Sequence, residues 1–257
     1  MRELILKRLK DLESSHNITI LYACESGSRA WGFASPNSDW DVRFIYVHHQ
    51  DWYLSINEQK DSLDFAIDEN DLDLSGWELR KTLRLFRKSN ASPFEWLQSP
   101  IVYFNDYNFQ AELWALHQQY FNPRATTYHY LGLAKNSLKK GFVNDKMDIK
   151  KYFYILRPLL AAYWICHQES AAPMEFAPLL AQLESKTALH QAIQDLTEQK
   201  HIAMEGDWTE PIPIIQDFIL KTLDECGRIA ANLEVPPSTN DTVNQFFRSM
   251  LLKTKPL

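Results

Sequence analysis

The chain has 257 residues, of which 45% are hydrophobic and only seven are glycine, where average usage of about 7% would give roughly eighteen. This composition excludes a collagen-like repeat, and it argues against a glycine-rich disordered protein and a turn-dense β-sandwich. Because 33 acidic residues outnumber 27 basic ones, for a net charge of −6, any contact with a nucleic acid must come from a local basic patch.

The amino-terminal hundred residues predict alternating helices and strands. A charged amphipathic pattern predicts a helix from Met1 to about Ser15, and an apolar run then predicts a strand that stops at the segment 25–28, Glu-Ser-Gly-Ser. The segment 35–38, Ser-Pro-Asn-Ser, is typical of a turn into the next strand. Further strands are expected at about residues 40–47, near 63–67 and near 72–74.

Helical signals dominate the rest of the chain. Ser75 and Glu78 have the spacing of a capping box ahead of apolar residues at helical intervals, and the Ser-Pro pair at 92–93 predicts a shorter helix. From about Tyr107 the pattern is helical almost throughout. The expected helices are one ending at Gly141, one capped by Asp148, and others near 186–200, 211–231 and 240–252.

The motif that indicates chemistry is Gly27-Ser28, followed after ten residues by Asp39-Trp40-Asp41. A glycine at the end of a strand lets the backbone approach a polyphosphate, and the serine supplies a hydroxyl. Asp39 and Asp41 alternate on a strand, so both carboxylates project from the same face, where hard divalent ions such as Mg²⁺ find oxygen ligands. The alternative is a surface turn beside a hydrated acidic strand end.

A third carboxylate is expected on a neighbouring strand, to complete the metal site and to take the proton from an attacking hydroxyl. Asp64, Asp68, Asp71 and Asp73 compete for this role. We favour Asp73, which lies where the last strand approaches the next helix, while alternation puts Asp71 on the same face and keeps it as the alternative.

A second predicted set of site residues lies on the helix capped by Asp148. Lys150, Tyr154 and Arg157 recur at i, i+4 and i+7, a spacing suited to neutralising the β and γ phosphates and to stacking a base or ribose on the tyrosine. The alternative for Arg157 is a structural pair with an acidic residue.

Basic residues also crowd the helix expected after residue 75. Arg80, Arg84 and Arg87 share one face at helical spacing and could hold nucleic-acid phosphates. A solvated helix face with its leucines turned inward explains the same pattern equally well.

Through Gly27-Ser28 and Asp39-Trp40-Asp41, the sequence resembles the DNA polymerase beta-type nucleotidyltransferase superfamily. Two later blocks, from Asp73 to Tyr103 and from Lys150 to Ile165, are similar to a narrower group, the family of predicted nucleotidyltransferases associated with RNA repair pathways. The resemblance covers roughly residues 18–166.

The resemblance implies an α+β fold, with a polymerase beta-like mixed sheet and flanking helices in residues 1–105. A helical domain in residues 106–257 would complete the nucleotide cleft. The implied reaction transfers a nucleoside monophosphate from an NTP to a hydroxyl, with Mg²⁺ or Mn²⁺ as cofactor and release of pyrophosphate. The family's motif positions fall on Gly27, Ser28, Asp39, Asp41 and Asp73.

The acceptor is suggested by the family name, and the cellular compartment by the cysteine content. An RNA end is the acceptor that the family name points to; a protein side chain or a small molecule is the alternative, as is a nucleotide-binding, antitoxin-like module without turnover. Three cysteines without paired spacing indicate a reducing, cytoplasmic compartment rather than a disulfide framework. No run approaches the roughly 20 apolar residues of a membrane span.

Overall fold

A central mixed sheet organises the amino-terminal half of the protein. The computed structural model describes residues 1–143, 146–202, 207–237 and 241–254, with the side chains of residues 142 and 143 left out. The strands of the central sheet are β1 (Ile18–Glu25), β2 (Trp40–His48), β3 (Ser62–Asp64), β4 (Leu72–Glu78) and β5 (Val102–Asn105).

The sheet has the order β3-β4-β2-β1-β5. Strands β2 and β4 pair in parallel, and the other neighbours pair antiparallel. In the parallel pair Asp41 lies opposite Asp73. Because parallel strands begin at the same edge of a sheet, this register brings the acidic starts of β2 and β4 together.

Helices surround the sheet and make up most of the second half. A second, three-stranded sheet of order β6-β7-β8, which the sequence patterns did not predict, lies beside the start of α9. Its strands are β6 (Phe142–Val143), β7 (Lys146–Asp148) and β8 (Trp208–Thr209). The helices are α1 (Arg2–His16), α2 (Gly27–Trp31), α3 (Gln50–Tyr53), α4 (Leu79–Arg87), α5 (Ala91–Leu97), α6 (Phe109–Trp114), α7 (His117–Tyr120), α8 (Pro123–Gly141), α9 (Ile149–Gln168), α10 (Phe176–Ala181), α11 (Thr187–Ile202), α12 (Pro213–Asn232) and α13 (Asp241–Lys253).

The two faces of the sheet are covered by different elements. Ile20 and Phe44 point to one face, where Ile5 of α1 packs on them. Leu21 and Ile45 point to the other face and join a core that continues into the carboxy-terminal helices. This alternation follows from the two-residue period of a strand. One continuous core therefore joins the sheet to the helical half, while the division into domains at residues 105 and 106 stays a prediction.

The α+β class with a mixed sheet is confirmed, but the predicted cap at Ser75 is wrong. Ser75 lies within β4, and its hydroxyl donates to Asp64. Pairing with β2 continues as far as Glu78, so the ladder overrides the local capping signal. The side chain of Glu78 then caps α4 by accepting the Lys81 N–H.

Two smaller boundaries also differ from the sequence prediction. Asn90, rather than Ser92, caps α5 by accepting the Ser92 N–H. Strand β3 ends at Asp64, because Asp68 accepts two backbone N–H groups and starts a turn into β4. In the described ranges, no helix combines the length and hydropathy that crossing a bilayer requires.

Candidate active site

The turn between β1 and α2 brings backbone against a carboxylate. Gly27 is buried with φ +59°, and a Cβ built on it would overlap Oδ2 of Asp41. The Ser26 N–H donates to the Asp41 carbonyl at 2.7 Å, which fixes this approach. The sequence predicted that Gly27 lets the backbone come close to a phosphate. In the structure, the side chain of Asp41 occupies the space that a Cβ at residue 27 would need.

Three aspartates gather at the amino ends of β2 and β4. Asp41 and Asp73 are cross-strand neighbours, and Asp39 precedes β2 by one residue. Asp71, the alternative third carboxylate, lies outside β4 in an exposed turn with φ +55°. The structure therefore brings Asp73, and not Asp71, beside Asp41.

Arg43 links two of these carboxylates and was missed by the sequence analysis. Its Nη2 donates to Asp41 at 3.1 Å and to Asp73 at 2.8 Å. Its Nη1 donates to the backbone carbonyl of Asp73. The alternation of Asp39, Asp41 and Arg43 on one strand face was the available signal. One guanidinium thus holds a positive charge between two acids that would otherwise repel each other.

The pKa of Asp41 is raised by its burial and by the two acids beside it. Burial is the largest cause and raises the pKa of this carboxyl above its usual range; Arg43 opposes the shift. Asp73 and Asp39 raise the pKa further, while the positive charge of Lys150 lowers it. A partly desolvated carboxylate with two acidic neighbours favours an added cation.

The donor set fits a magnesium or manganese ion that is shared with a substrate. Among the described residues, no three His, Cys, Asp or Glu side chains enclose a metal site by themselves. Mg²⁺ usually binds through one or two carboxylates and completes its octahedron with waters and substrate phosphates. Asp41 and Asp73, already close enough to share one cation, satisfy that smaller requirement.

Glu25 is a second residue that the sequence analysis did not identify. It is fully buried at the end of β1, accepts the Tyr103 hydroxyl at 2.5 Å and accepts the Asp41 N–H at 2.8 Å. Burial raises the pKa of Glu25 to about 6, although both hydrogen bonds oppose the shift. A glutamate directly after an apolar strand was the signal. Its carboxyl fixes the backbone of Asp41.

The raised pKa of Glu25 predicts a pH dependence of stability. The folded protein holds this proton more tightly than the unfolded chain, whose glutamate titrates near 4.5. The contribution is therefore present below about pH 4.5 and is lost as pH rises through 6. We expect the free energy of unfolding to fall by about 2 kcal/mol over this interval relative to Glu25→Gln, measured by urea denaturation. The exposed control Glu184→Gln should keep the wild-type profile; a Glu25→Gln profile parallel to wild type would refute the assignment.

Helix α9 contributes the next predicted residues. Asp148 caps the helix by accepting the N–H groups of Lys150 and Lys151, as expected. Lys150 lies close enough for its charge to lower the pKa of Asp41. Tyr154 is half-buried, with its ring 5.9 Å from that of Trp31 on α2. The structure thus places Lys150 within electrostatic range of Asp41, and Tyr154 against α2, which carries Gly27 and Ser28.

Arg157 does not join this group. Its Nη1 forms an ion pair with Glu95 at 2.5 Å, its Nη2 donates to the Met174 carbonyl, and its side chain is only 4% exposed. Glu95 also accepts the hydroxyl of Tyr130. The geometry supports the structural alternative for Arg157 rather than a phosphate contact, because its charge is already neutralised inside the helical core.

We expect Arg157→Met to lower the free energy of unfolding by about 3–5 kcal/mol, because Glu95 would be left buried without its partner. Chemical denaturation measures this loss. Arg228→Met removes an exposed i,i+4 pair with Asp224 and should cost less than about 0.5 kcal/mol. An Arg157→Met protein of wild-type stability would exclude the structural role.

Contacts from two sides hold the loop between α2 and β2. Arg29 donates to the carbonyls of Ser38 and Asp39, and its guanidinium lies 3.8 Å from the ring centroid of Trp40. From α11, Lys200 donates to the hydroxyl of Ser35 at 3.0 Å. The helical half therefore reaches the loop that carries Asp39, which no local pattern in the sequence could indicate.

Comparisons with known proteins show the family to which the chain belongs. The model of one family, described as the RNA repair pathway DNA polymerase beta family (RlaP), matches residues 1–249. "Uncharacterized protein YcgL" of Bacillus subtilis (strain 168) is 42% identical over 234 residues, which cover 91% of this chain and 90% of that protein. A solved structure, a nucleotidyltransferase-like protein from Exiguobacterium sibiricum 255-15, aligns over 96% of this chain and 79% of its own, with 10% identity and a TM-score of 0.31.

Proposed function

The chain belongs to the RNA repair pathway DNA polymerase beta family and is a nucleotidyltransferase, and from this premise we propose which reaction its site performs. The reaction is transfer of a nucleoside monophosphate from an NTP to a hydroxyl acceptor, with release of pyrophosphate. The observation that carries the proposal is the pairing of Asp41 with Asp73 on parallel strands, directly beside the buried turn at Gly27.

In this reaction the acceptor oxygen forms a bond to the α-phosphorus, and the bond from that phosphorus to the bridging oxygen breaks. Asp73 takes the proton of the acceptor hydroxyl, since its carboxyl is partly exposed and lies beside Asp41. Ser28 and Lys150 hold the triphosphate, and Tyr154 contacts the base or ribose. Asp39, Asp41 and Asp73 would bind Mg²⁺ or Mn²⁺, which neutralises charge on the phosphates and lowers the pKa of the attacking hydroxyl.

Arg43 competes for the position that the proposal gives to a cation. Its guanidinium binds Oδ1 of Asp41 and Oδ2 of Asp73, so a metal ion that took these same oxygens would displace it from them. This displacement is compatible with its partial exposure of 19%. While no metal is bound, the positive charge of Arg43 offsets the repulsion between the carboxylates of Asp41 and Asp73.

We expect Arg43→Met to destabilise the metal-free protein by about 1–3 kcal/mol, because two charged hydrogen bonds disappear and the acids repel. Millimolar Mg²⁺ should restore most of this stability and should stabilise wild type less. Thermal unfolding with EDTA and with Mg²⁺ provides the measurement, with Arg228→Met as the control. Equal stabilisation of all three proteins by Mg²⁺ would show that Arg43 and the metal do not compete.

An RNA end is the acceptor that we propose. The family description supports this choice, since it names RNA repair. The reaction is tested by incubating the protein with each NTP and with separate pools of RNA, protein and small molecules, followed by mass spectrometry for nucleotide adducts. Adducts on RNA 3′ ends that disappear in Asp41→Asn would support the proposal. Binding of NTP without pyrophosphate release from any pool would instead identify a non-catalytic nucleotide-binding module.

We also propose a cytoplasmic location, because the free cysteines Cys24, Cys166 and Cys226 are all buried and none forms a disulfide in the described structure. Free thiols persist in reducing compartments.

A further inference from the structure

A cavity lined by three arginines lies between α4 and α13, and the proposed reaction does not use it. We call it the arginine cavity; its volume is ≈ 230 Å³. Arg80, Arg84 and Arg87 form its charged side, and Leu83, Val243 and Phe247 form its apolar wall. None of the described residues that line it is acidic. The chain as a whole carries a charge of −6, so this cluster is a local reversal of sign.

Helix α4 produces the cluster by its periodicity. Leu79, Leu83 and Phe86 are buried, and the arginines, each one residue later, follow the neighbouring face of the helix over about 10 Å of its axis. Like charges at this spacing destabilise a helix by a few tenths of a kcal/mol per pair. Their alignment along a cavity therefore has a cost in stability, which a bound anion would remove.

Two of the arginines have distinct environments. The Arg80 guanidinium lies 5.5 Å from the ring centroid of Trp52 and 5.3 Å from that of Tyr53, so cation–π contacts orient it. Arg84 is exposed, and in the part of the chain that the structure describes it forms no ion pair within 4 Å. One arginine is held in place and another is free to receive an anion.

A second cavity of ≈ 220 Å³ extends the first, because both include Arg80 and Arg84. Its lining adds Trp52, Tyr53 and Ile56, whose side chain is 99% exposed. The second cavity also carries the carboxylates of Glu58, Asp61 and Glu78. Asp61 is paired with Lys81, and Glu78 accepts the Tyr53 hydroxyl and the Lys81 N–H, so the arginine side and the aromatic side of the combined groove carry the proposal. Arginine pairs with phosphate oxygens through its planar fork, and apolar surface accepts the faces of unpaired bases.

We propose that the arginine cavity binds the backbone phosphates of a single-stranded nucleic acid. This inference rests on the proposed function, since it identifies where the acceptor strand is held. The strand, rather than a mononucleotide, fits because successive phosphates can contact the arginines spaced along α4, while the adjoining cavity offers Trp52 to a base. A duplex would present no unpaired base faces to Trp52 and Ile56.

The groove is remote from the carboxylates. Asp73 lies near the start of β4 and Glu78 at its end, so they are about 16 Å apart along the strand, and Arg80 follows that far end. An acceptor must therefore span several nucleotides to occupy both places, and very short acceptors should not benefit from the arginines.

The test measures binding without NTP by fluorescence anisotropy, using labelled single strands of about 16 nucleotides. The full chain is titrated with RNA, with DNA of the same sequence, with the duplex and with a polyglutamate peptide. We expect single strands to bind best, and Arg84→Gln to weaken them about tenfold. The slope of log affinity against log salt should fall by about 0.7, because the variant neutralises one phosphate fewer.

Arg228→Gln, at an exposed arginine on α12, is the matched control and should bind as wild type does. Arg84 is exposed, so its variant should fold; thermal unfolding verifies this. Equal affinity for RNA and DNA would support recognition of the phosphates. A higher affinity for RNA would show that the ribose is recognised as well. Unchanged affinity in Arg84→Gln, preference for duplex, or equal binding of polyglutamate would overturn the proposal. Because no NTP is present, failure of nucleotidyl transfer would not affect the result.

Discussion

Asp73→Asn is expected to lower NTP-dependent pyrophosphate release by about 10²- to 10⁴-fold. The change removes the group that we propose as receiver of the acceptor proton, and it removes one of the two carboxylates that share Arg43. An asparagine has nearly the same shape, so the fold should be retained and the reduction should appear in kcat. Steady-state release of pyrophosphate, with the best acceptor found in the adduct screen, measures the effect.

Asp71→Asn is the matched control for this experiment. Asp71 is two residues away, but it lies in an exposed turn with φ +55°, and asparagine tolerates that conformation as well as aspartate does. We expect its activity to stay within about twofold of wild type. Equal reductions in the two variants would exclude the role that we give to Asp73.

Gly27→Ala is expected to have a comparably large effect by a steric route. The added methyl group would occupy the position of Asp41 Oδ2, and the backbone would need φ +59°, which costs an alanine of order 1–3 kcal/mol. Asp41 must therefore turn away from the site. We expect activity to fall at least 10²-fold and the free energy of unfolding to fall by about 1–3 kcal/mol.

Gly227→Ala is the matched control, and we expect it to have the opposite effect on stability. Gly227 lies inside α12, and a Cβ built on it meets no atom within 4 Å. Alanine should stabilise the protein by up to about 1 kcal/mol without changing activity. If Gly27→Ala kept wild-type activity and lost no stability, as we expect for Gly227→Ala, the contact between the turn and Asp41 would not be needed for function.

Local patterns predicted much of the architecture. The apolar run located β1, and the cap at Asp148 and the glycine at 141 located two long helices, because these signals act over a few residues. The motif of Gly27-Ser28 with Asp39 and Asp41 indicated the candidate site for the same reason. Where local and non-local signals disagreed, as at Ser75, the sheet decided: pairing with β2 kept this residue in a strand.

The sequence by itself determined the strands on either side of Gly27-Ser28, the acidic strand face and the arginine face of α4, since each depends on the fixed periods of strands and helices. Only the tertiary structure decided which acid joins Asp41, because that depends on the register of two strands whose paired residues, Asp41 and Asp73, are 32 positions apart. It also paired Arg157 with Glu95 and buried Glu25 beneath Asp41. The role of a charged side chain depends on its partner, and the partner often comes from a distant part of the chain. The fold therefore determines whether such a charge is neutralised in the core or stays available to a substrate.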